Sequence, residues 1–459
     1  MPCCPPRPVG SMQRSAPRSR QNASGITRFA SRSFWMSEES ETYDRRARWE
    51  PAPRPEWVAK LNEEGERLNS KSIVPLDENS LLAEARANTG LDDFGEDGWI
   101  EHFRVLIKAI EEEAKLNLMG RILTRSDFVQ YLEIRLRIQD YYTRFPEIDD
   151  EVIHEPVMIL GHGRTGTTIL HEVMSTDPQF RIVKRWEAMF PCPPPEEASY
   201  ETDERIARAH ELITIFDRVT PEWKAMHKFG GDLPVECAEY LYASFLSNVF
   251  VFSFQIPTYA KYIQEQEIGH TILWHQRVLK LLQWKYKKDH WLLKNPLWID
   301  HIPRVLEYYP DAKIILTHRD PITVSDSFVN VMGTIFWWRT DDPWGGGMLD
   351  DLVMADGRAE THANLMRWME DGTLRPGYVS NVLYQDFMDD PVDTIGRACH
   401  DLRLPFGDES AERMRRYLAS KPKGKHGKYE YDSAEAAQVA AERERFRTYQ
   451  EYFKVPNEF

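Results

Sequence analysis

The stretch from Val157 to Thr168 constrains the fold more than any other part of this 459-residue chain. Four apolar residues, Val157 to Leu160, predict a short buried strand, and Thr167 opens an amphipathic helix after a glycine-containing turn. A strand, a glycine loop and a helix N-terminus in this order direct backbone N–H groups and the positive end of a helix dipole at one point. The stretch therefore predicts an anion-binding cradle inside an α/β domain.

The loop departs from that of the nucleotide hydrolases. The spacing from Gly161 to Gly166 matches a P-loop, but Thr167 stands where those enzymes place their lysine. The nearby cation is Arg164, which lies inside the loop. We therefore expect an anion cradle without the usual NTPase chemistry.

The second half of the chain alternates short apolar runs with helical patterns, which predicts a mostly parallel sheet flanked by helices. The predicted strands are Val157–Gly161, Phe180–Val183, Trp291–Leu293, Lys313–Thr317 and Val379–Tyr384. Binding residues collect at the carboxyl ends of such strands. The polar segments that follow the second, third and fourth strands are Lys184-Arg185-Trp186-Glu187, Lys294-Asn295-Pro296 and His318-Arg319-Asp320-Pro321.

The rest of the chain is predicted to be helical at both ends. Apolar periodicity predicts a helix over 99–123 and a second that starts at Ser126-Asp127. We predict a P-loop-type α/β domain over 151–430, a helical N-terminal extension over 36–150 and a C-terminal helical tail over 431–459. Residues 1–35 hold six arginines, no lysine and no acidic residue. We interpret them as a disordered leader, or as sequence upstream of a true start at Met36, and organelle targeting is the alternative.

Composition limits the partners and the compartment. A net charge of −15 argues against a general nucleic-acid surface, which needs clustered Lys and Arg. Five scattered cysteines without a C-x-x-C spacing predict neither a disulfide framework nor a zinc site, and hence a reduced, cytoplasmic protein. The uncharged stretch 240–260 is interrupted by polar residues, so no membrane span is predicted. The oligomeric state is open, a homo-oligomer included.

A second anion-binding feature follows the fourth predicted strand. Asp320 as N-cap and Pro321 as the first helical residue predict a helix that runs to about Met332, with Gly333 just beyond its end. Arg319 precedes this helix and Ser327 follows eight positions later. A guanidinium fork and a hydroxyl suit a phosphate group. The alternative is a surface ion pair beside an ordinary helix serine.

These segments together resemble a known family. Arg-Thr-Gly-Thr-Thr after an apolar strand resembles the 5′-phosphosulfate loop of the sulfotransferases that use 3′-phosphoadenylyl sulfate (PAPS), most closely their bacterial-type branch. Arg319 and Ser327 resemble the pair that holds the donor's 3′-phosphate, and Tyr384 resembles the tyrosine packed against adenine. Lys423-Gly424 resembles the family's C-terminal phosphate loop, although Pro422 replaces its usual arginine.

The resemblance implies PAPS as the donor co-substrate and no required metal. The donor-binding residues that it implies are Gly163, Arg164, Thr165, Gly166, Thr167, Thr168, Arg319, Ser327, Tyr384, Lys423 and Gly424. Negative charge develops on the bridging oxygen as the nucleotide leaves, and Arg164 and Lys294 are the expected catalytic cations.

The acceptor also needs a general base. Pro296 stands where the cytosolic sulfotransferases have their base histidine, and Lys294-Asn295-Pro296 instead resembles the Lys-Asp-Pro of the tyrosylprotein sulfotransferases. In that branch the base is a glutamate after the second strand, so the expected base is Glu187, 23 positions after Arg164. Glu236 is the rival. Further candidates without a supporting spacing are His162, His171 and His275.

The predicted function is transfer of a sulfuryl group from PAPS to a hydroxyl or amine of a small-molecule, lipid or glycan acceptor. Two other hypotheses stay open. A P-loop kinase would need a lysine after Gly166 and a strand that ends in a magnesium-binding aspartate. A non-catalytic nucleotide- or sulfate-binding protein would keep the cradle and lack the base.

Overall fold

A five-stranded parallel sheet forms the centre of the computed structural model, which describes residue 46 and residues 49–345, 355–421 and 436–458. The strands are β1 (Val157–Leu160), β2 (Phe180–Arg181), β3 (His290–Lys294), β4 (Lys313–His318) and β5 (Val379–Leu383). Their order is β2-β3-β1-β4-β5. All five predicted strands are present, with ends shifted by one or two residues, and every pairing is parallel.

Helices surround the sheet and also precede it. The described α-helices are α1 (Glu56–Arg67), α2 (Ser70–Ile73), α3 (Glu78–Thr89), α4 (Ile100–Glu113), α5 (Leu118–Arg144), α6 (Thr167–Met174), α7 (Arg185–Met189), α8 (Arg205–Ile213), α9 (Ile215–Val219), α10 (Trp223–Met226), α11 (Ala238–Leu241), α12 (Pro257–Gln264), α13 (Gly269–Gln283), α14 (Ile302–Tyr308), α15 (Pro321–Trp337), α16 (Ala355–Glu370), α17 (Tyr384–Asp389), α18 (Pro391–Asp401), α19 (Asp408–Ser420) and α20 (Ala436–Phe453). Short 3-10 helices lie at Asp97–Trp99, Pro146–Asp150, Glu197–Thr202, Tyr242–Ser244, Asn248–Phe250 and Pro296–His301.

Strand β1 is buried on both faces and divides the core. Met158 and Leu160 belong to one apolar cluster, which also takes residues from α5 and α13. Val157 and Ile159 belong to a second cluster with residues of α6 and α18. This alternation follows from the two-residue period of a strand. The predicted α/β fold with N-terminal helices is confirmed, and the domain boundaries that we assigned stay predictions.

The predicted ends of the N-terminal helices were wrong. The helix predicted over 99–123 ends at Glu113, and the next begins at Leu118 instead of Ser126-Asp127. Lys115 has a φ of 46°, which breaks the first helix. The side chain of Asn117 then accepts a hydrogen bond from the Gly120 N–H at 2.8 Å and caps α5.

Helix α15 was also predicted too short. It continues to Trp337, so Gly333 lies inside it and not beyond its end. A Cβ at Gly333 would lie 2.4 Å from Cε2 of Trp49. This glycine therefore permits close packing of an indole against the helix, a tertiary contact that local sequence does not reveal. No helix within the described ranges has the length and apolar character needed to cross a membrane.

Candidate functional site

The loop between β1 and α6 packs tightly against the end of β4. A Cβ at Gly161 would lie 2.0 Å from Oγ1 of Thr317, and that hydroxyl is 2.6 Å from the Thr165 hydroxyl. Arg164 and Gly166 both have left-handed backbone, with φ of 75° and 87°. Gly166 ends the loop as the N-cap of α6. The first amides of α6 are therefore available to an anion in the loop.

Lys294, Thr168 and Glu236 form a lysine cluster beside the start of α6. Lys294 ends β3, and its Nζ donates to Oγ1 of Thr168 at 3.0 Å. The same Nζ lies 3.0 Å from Oε2 of Glu236. The Lys294 side chain is 6% exposed and that of Glu236 is 37% exposed, so the carboxylate is the part of the pair that solvent or a substrate reaches.

Arg164, Ser327, Arg319 and Tyr384 form an arginine cluster on another side of the loop. Nε of Arg164 donates to Oγ of Ser327 at 2.8 Å. Nη1 of Arg319 donates to the Arg164 carbonyl at 3.0 Å. The Arg319 guanidinium stacks on the Tyr384 ring, with 4.0 Å from Cζ to the ring centroid. The structure thus brings together four residues that the sequence predicted from three separate segments.

Two loop glycines have different surroundings. A Cβ at Gly166 would lie 2.8 Å from Cδ2 of Tyr384, so the aromatic ring covers this end of the loop. A Cβ at Gly163 would meet no atom within 4 Å. The loop is therefore open at Gly163, where a ligand has access to it.

Sequence reasoning missed Glu458. Its carboxylate accepts from Nε and Nη2 of Arg319 at 2.6 and 2.8 Å. Glu458 lies 139 residues after Arg319, and no local pattern links the two positions. Such a pairing is visible only in the folded chain, where the C-terminal arm, residues 454–458, lies beside Arg319 at the carboxyl end of β4.

Glu187 lies in a different environment from the one we predicted for it. The residue is fully buried, and its carboxylate forms an ion pair with Arg181. It also accepts from the Tyr200 hydroxyl at 2.7 Å and from the Lys184 N–H at 2.8 Å, which caps the start of α7. Burial raises the pKa of Tyr200, so that hydroxyl keeps its proton for this bond. These contacts tie β2 to α7, whereas Glu236 is the glutamate that contacts Lys294.

Of the three candidate histidines, His171 and His275 are buried and His162 is half-buried. Burial lowers the pKa of His162, His171 and His275 to about 3. His275 lies between the hydroxyls of Tyr240 and Tyr309, at 3.1 and 2.6 Å. The ring of His171 contacts the Leu292 carbonyl at 3.3 Å. The contacts of His171 and His275 are those of core histidines.

Some predictions concern residues whose surroundings are not described. Lys423 and Gly424 of the predicted C-terminal phosphate loop lie outside the described residues, as does the leader over 1–35. Lys421, at the end of the preceding segment, pairs with Glu172 of α6, which also accepts from the Tyr417 hydroxyl at 2.9 Å. Within residues 49–345, 355–421 and 436–458, no group of three or more His, Cys, Asp or Glu side chains is arranged to hold a metal ion.

Comparison with known proteins gives the site its family context. An omega-hydroxy-beta-dihydromenaquinone-9 sulfotransferase, Stf3, from Mycobacterium bovis and from Mycobacterium tuberculosis is 26% identical over 283 residues, 60% of this chain and 69% of the relative. The sulfotransferase STF1 of M. tuberculosis superposes with a TM-score of 0.65 at 25% identity, over 81% of this chain and 98% of that one. STF9 of Mycobacterium avium has the same fold, with a TM-score of 0.69 at 24% identity over 83% and 97% of the two chains.

The sequence pattern of the sulfotransferase family matches residues 156–408, more than half of the chain. This range begins just before β1 and contains both the arginine cluster and the lysine cluster. The chain therefore belongs to the sulfotransferase family, whose members are enzymes of sulfuryl transfer.

Proposed function

We propose that the protein transfers a sulfuryl group from PAPS to the hydroxyl of an apolar small molecule. The observation that carries this proposal is the arginine cluster, in which residues from the loop, the turn after β4, α15 and α17 meet. One local motif arises easily by chance, but four elements that converge on one loop do not. Family membership leaves the kinase hypothesis without support.

The 5′-phosphosulfate and the 3′-phosphate of PAPS would bind at different parts of the loop region. The loop amides of residues 165–168 and the N-terminus of α6 suit the 5′-phosphosulfate. Arg319 and Ser327 suit the 3′-phosphate, and Tyr384 the adenine. Because the Ser327 hydroxyl accepts from Arg164, its own hydrogen is available to a phosphate oxygen. Lys423 and Gly424 would add donors by resemblance to the family.

We assign the two catalytic cations separate tasks. Arg164 points to Ser327, so we assign it mainly to donor binding. Lys294 contacts Thr168 at the start of α6, so we assign it to the bridging oxygen of the phosphosulfate, where negative charge develops. When bound, PAPS supplies the sulfuryl group.

We propose Glu236 as the general base in place of Glu187. In the lysine cluster its carboxylate is paired with Lys294, at 3.0 Å. An anion in the loop gives Lys294 a second partner and frees the carboxylate to accept a proton. The acceptor oxygen then loses its proton to Glu236 and forms the new S–O bond while the S–O bond to the leaving phosphate breaks.

A cavity lined by residues close in sequence to the lysine cluster supports an apolar acceptor. A cavity of about 110 Å³ is bordered by Leu297, three residues after Lys294, and by Leu241, five residues after Glu236. Its other apolar lining comes from Leu246, Ile263, Ile268 and Trp298, and its polar lining from Ser247, Asn248, Gln264, Gln266, Thr271 and His301. The relative Stf3 is named for a hydroxylated menaquinone. We therefore propose an apolar alcohol as the acceptor.

Calorimetric titration with adenosine 3′,5′-bisphosphate tests the donor assignment. We expect tight binding that does not require magnesium. Arg319→Ala should cost about 2–4 kcal/mol of bisphosphate affinity, because a charge-assisted bidentate donor is lost. Arg319→Lys should restore only part of it, since an ammonium cannot form the fork. Tighter binding of ATP–Mg than of the bisphosphate would contradict the assignment.

A further inference from the structure

Glu458 occupies the edge of Arg319 that a phosphate would use. Its two oxygens accept from Nε and Nη2 of Arg319 at 2.6 and 2.8 Å, which is the parallel, bidentate pairing that a guanidinium makes with carboxylate and phosphate alike. The pair is largely shielded, with side chains 14% and 24% exposed. Nη1 of Arg319 is turned away toward the Arg164 carbonyl.

The arm that carries Glu458 is fixed by hydrogen bonds of its own. The Val455 N–H donates to the Gln450 carbonyl at 2.9 Å, and the Gln450 side chain donates to Asn457 at 2.9 Å. The Glu458 N–H donates to Oδ2 of Asp320 at 2.8 Å. Asp320 is itself buried beside Arg443. The carboxylate is therefore presented to Arg319 by an anchored backbone, and its side chain can leave while the arm stays in place.

We propose that Glu458 sets the discrimination of this site between nucleotides with a 3′-phosphate and nucleotides with a 3′-hydroxyl. The inference rests on the proposed function, in which Arg319 binds the 3′-phosphate. A carboxylate and a phosphate compete for one guanidinium edge, and their like charges repel each other. A nucleotide with a 3′-hydroxyl does not compete for that edge. Glu458 thus lowers the affinity for 3′-phosphorylated nucleotides selectively and eases their release after transfer.

Glu458→Gln tests this inference, because it keeps the shape of the side chain and removes its charge. We expect the variant to bind adenosine 3′,5′-bisphosphate about tenfold more tightly, as for the loss of one competing charge-assisted pair. Adenosine 5′-phosphate should bind within about twofold of wild type. Glu451→Gln is the matched control, since it removes one negative charge from an exposed position of α20. It should leave both affinities unchanged.

Three other outcomes would overturn either the inference about Glu458 or the proposed function. Weaker bisphosphate binding by Glu458→Gln would mean that Glu458 orients Arg319 and does not compete at it. Unchanged binding by Glu458→Gln, with a large loss in Arg319→Ala, would refute the inference and keep the proposed function. If wild type and Arg319→Ala bind bisphosphate and monophosphate equally well, the proposed donor site itself fails. A thermal melt of each variant checks that the arm remains folded.

Discussion

Glu236 and Glu187 differ, at the scale of single residues, in what their carboxylates contact. Glu236 pairs with Lys294 and is 37% exposed, whereas Glu187 is fully buried against Arg181. A base must reach the proton that it removes, and only the first carboxylate has that access. A buried carboxylate that neutralises a buried guanidinium serves the fold, because removing either charge leaves the other uncompensated.

The first prediction separates these two glutamates. Glu236→Gln should lower kcat by roughly 10²–10⁴-fold, the range for loss of an acid–base group, with bisphosphate affinity within about twofold of wild type. Glu187→Gln should lower the free energy of unfolding by about 3–5 kcal/mol, because Arg181 loses its buried partner. Turnover by the folded fraction of that variant should remain near normal. A well-folded, inactive Glu187→Gln beside an active Glu236→Gln would restore Glu187 as the base.

The second prediction concerns the two cations. Lys294→Ala should lower kcat on the order of 10²–10³-fold, as when one oxyanion donor is deleted. Arg164→Ala should instead weaken bisphosphate binding by about 10- to 100-fold, since it removes a charged donor beside Ser327. Steady-state kinetics and calorimetry distinguish these effects. The division of labour is reversed if Arg164→Ala changes kcat alone.

The loop and α6 act together at the scale of secondary-structure elements. Gly166 combines a φ of 87° with an approach of the Tyr384 ring that leaves no space for a Cβ. Gly166→Ala should therefore lower the melting temperature and weaken bisphosphate binding. Gly407→Ala is the control, because Gly407 precedes α19 with an extended backbone and open space around its Cα. Equal melting temperatures and equal bisphosphate affinities of the two variants would show that the loop tolerates a Cβ at position 166.

Features that depend on neighbouring residues could be predicted from the sequence, whereas features that depend on contacts between distant residues could not. The cradle is local: the apolar run, the glycines and Thr167 are adjacent in sequence, and β1 and α6 lie where predicted. The predicted setting of Arg319 and Ser327, a strand end followed by a helix capped by Asp320, is also local and is present. The end of α15 was predicted wrongly: the helix continues through Gly333 to Trp337, and Gly333 lies against the distant Trp49. The pairing of Glu458 with Arg319 is non-local in the same way.

Buried neutral histidines make the whole molecule sensitive to acid. His275 has a pKa of about 3 in the folded state because burial disfavours its charged form, against about 6.5 when unfolded. The unfolded state thus binds one more proton between these values, so the stability is fully present above pH 6.5 and falls as the pH drops toward 3. His162 and His171 act in the same direction.

The expected result is a free energy of unfolding that decreases from pH 6.5 to pH 4.5 in urea titrations. His275→Gln should reduce the slope of that dependence by about 1.4 kcal/mol per pH unit, the value for one proton. His400→Gln, at an exposed position, is the control and should leave the slope unchanged. A slope unaffected by His275→Gln would mean that this histidine is charged in the folded protein.

Transfer of radiolabelled sulfate from PAPS tests the proposed function of the whole molecule most directly. Wild-type protein is incubated with labelled PAPS and a panel of phenols, glycans and apolar alcohols, with Glu236→Gln as the inactive control. We predict label on an apolar alcohol, no need for magnesium, and product formation at least about 100-fold slower with the control. Labelled product from no acceptor, with intact binding of adenosine 3′,5′-bisphosphate, would contradict the account and indicate a nucleotide-binding protein without transferase activity.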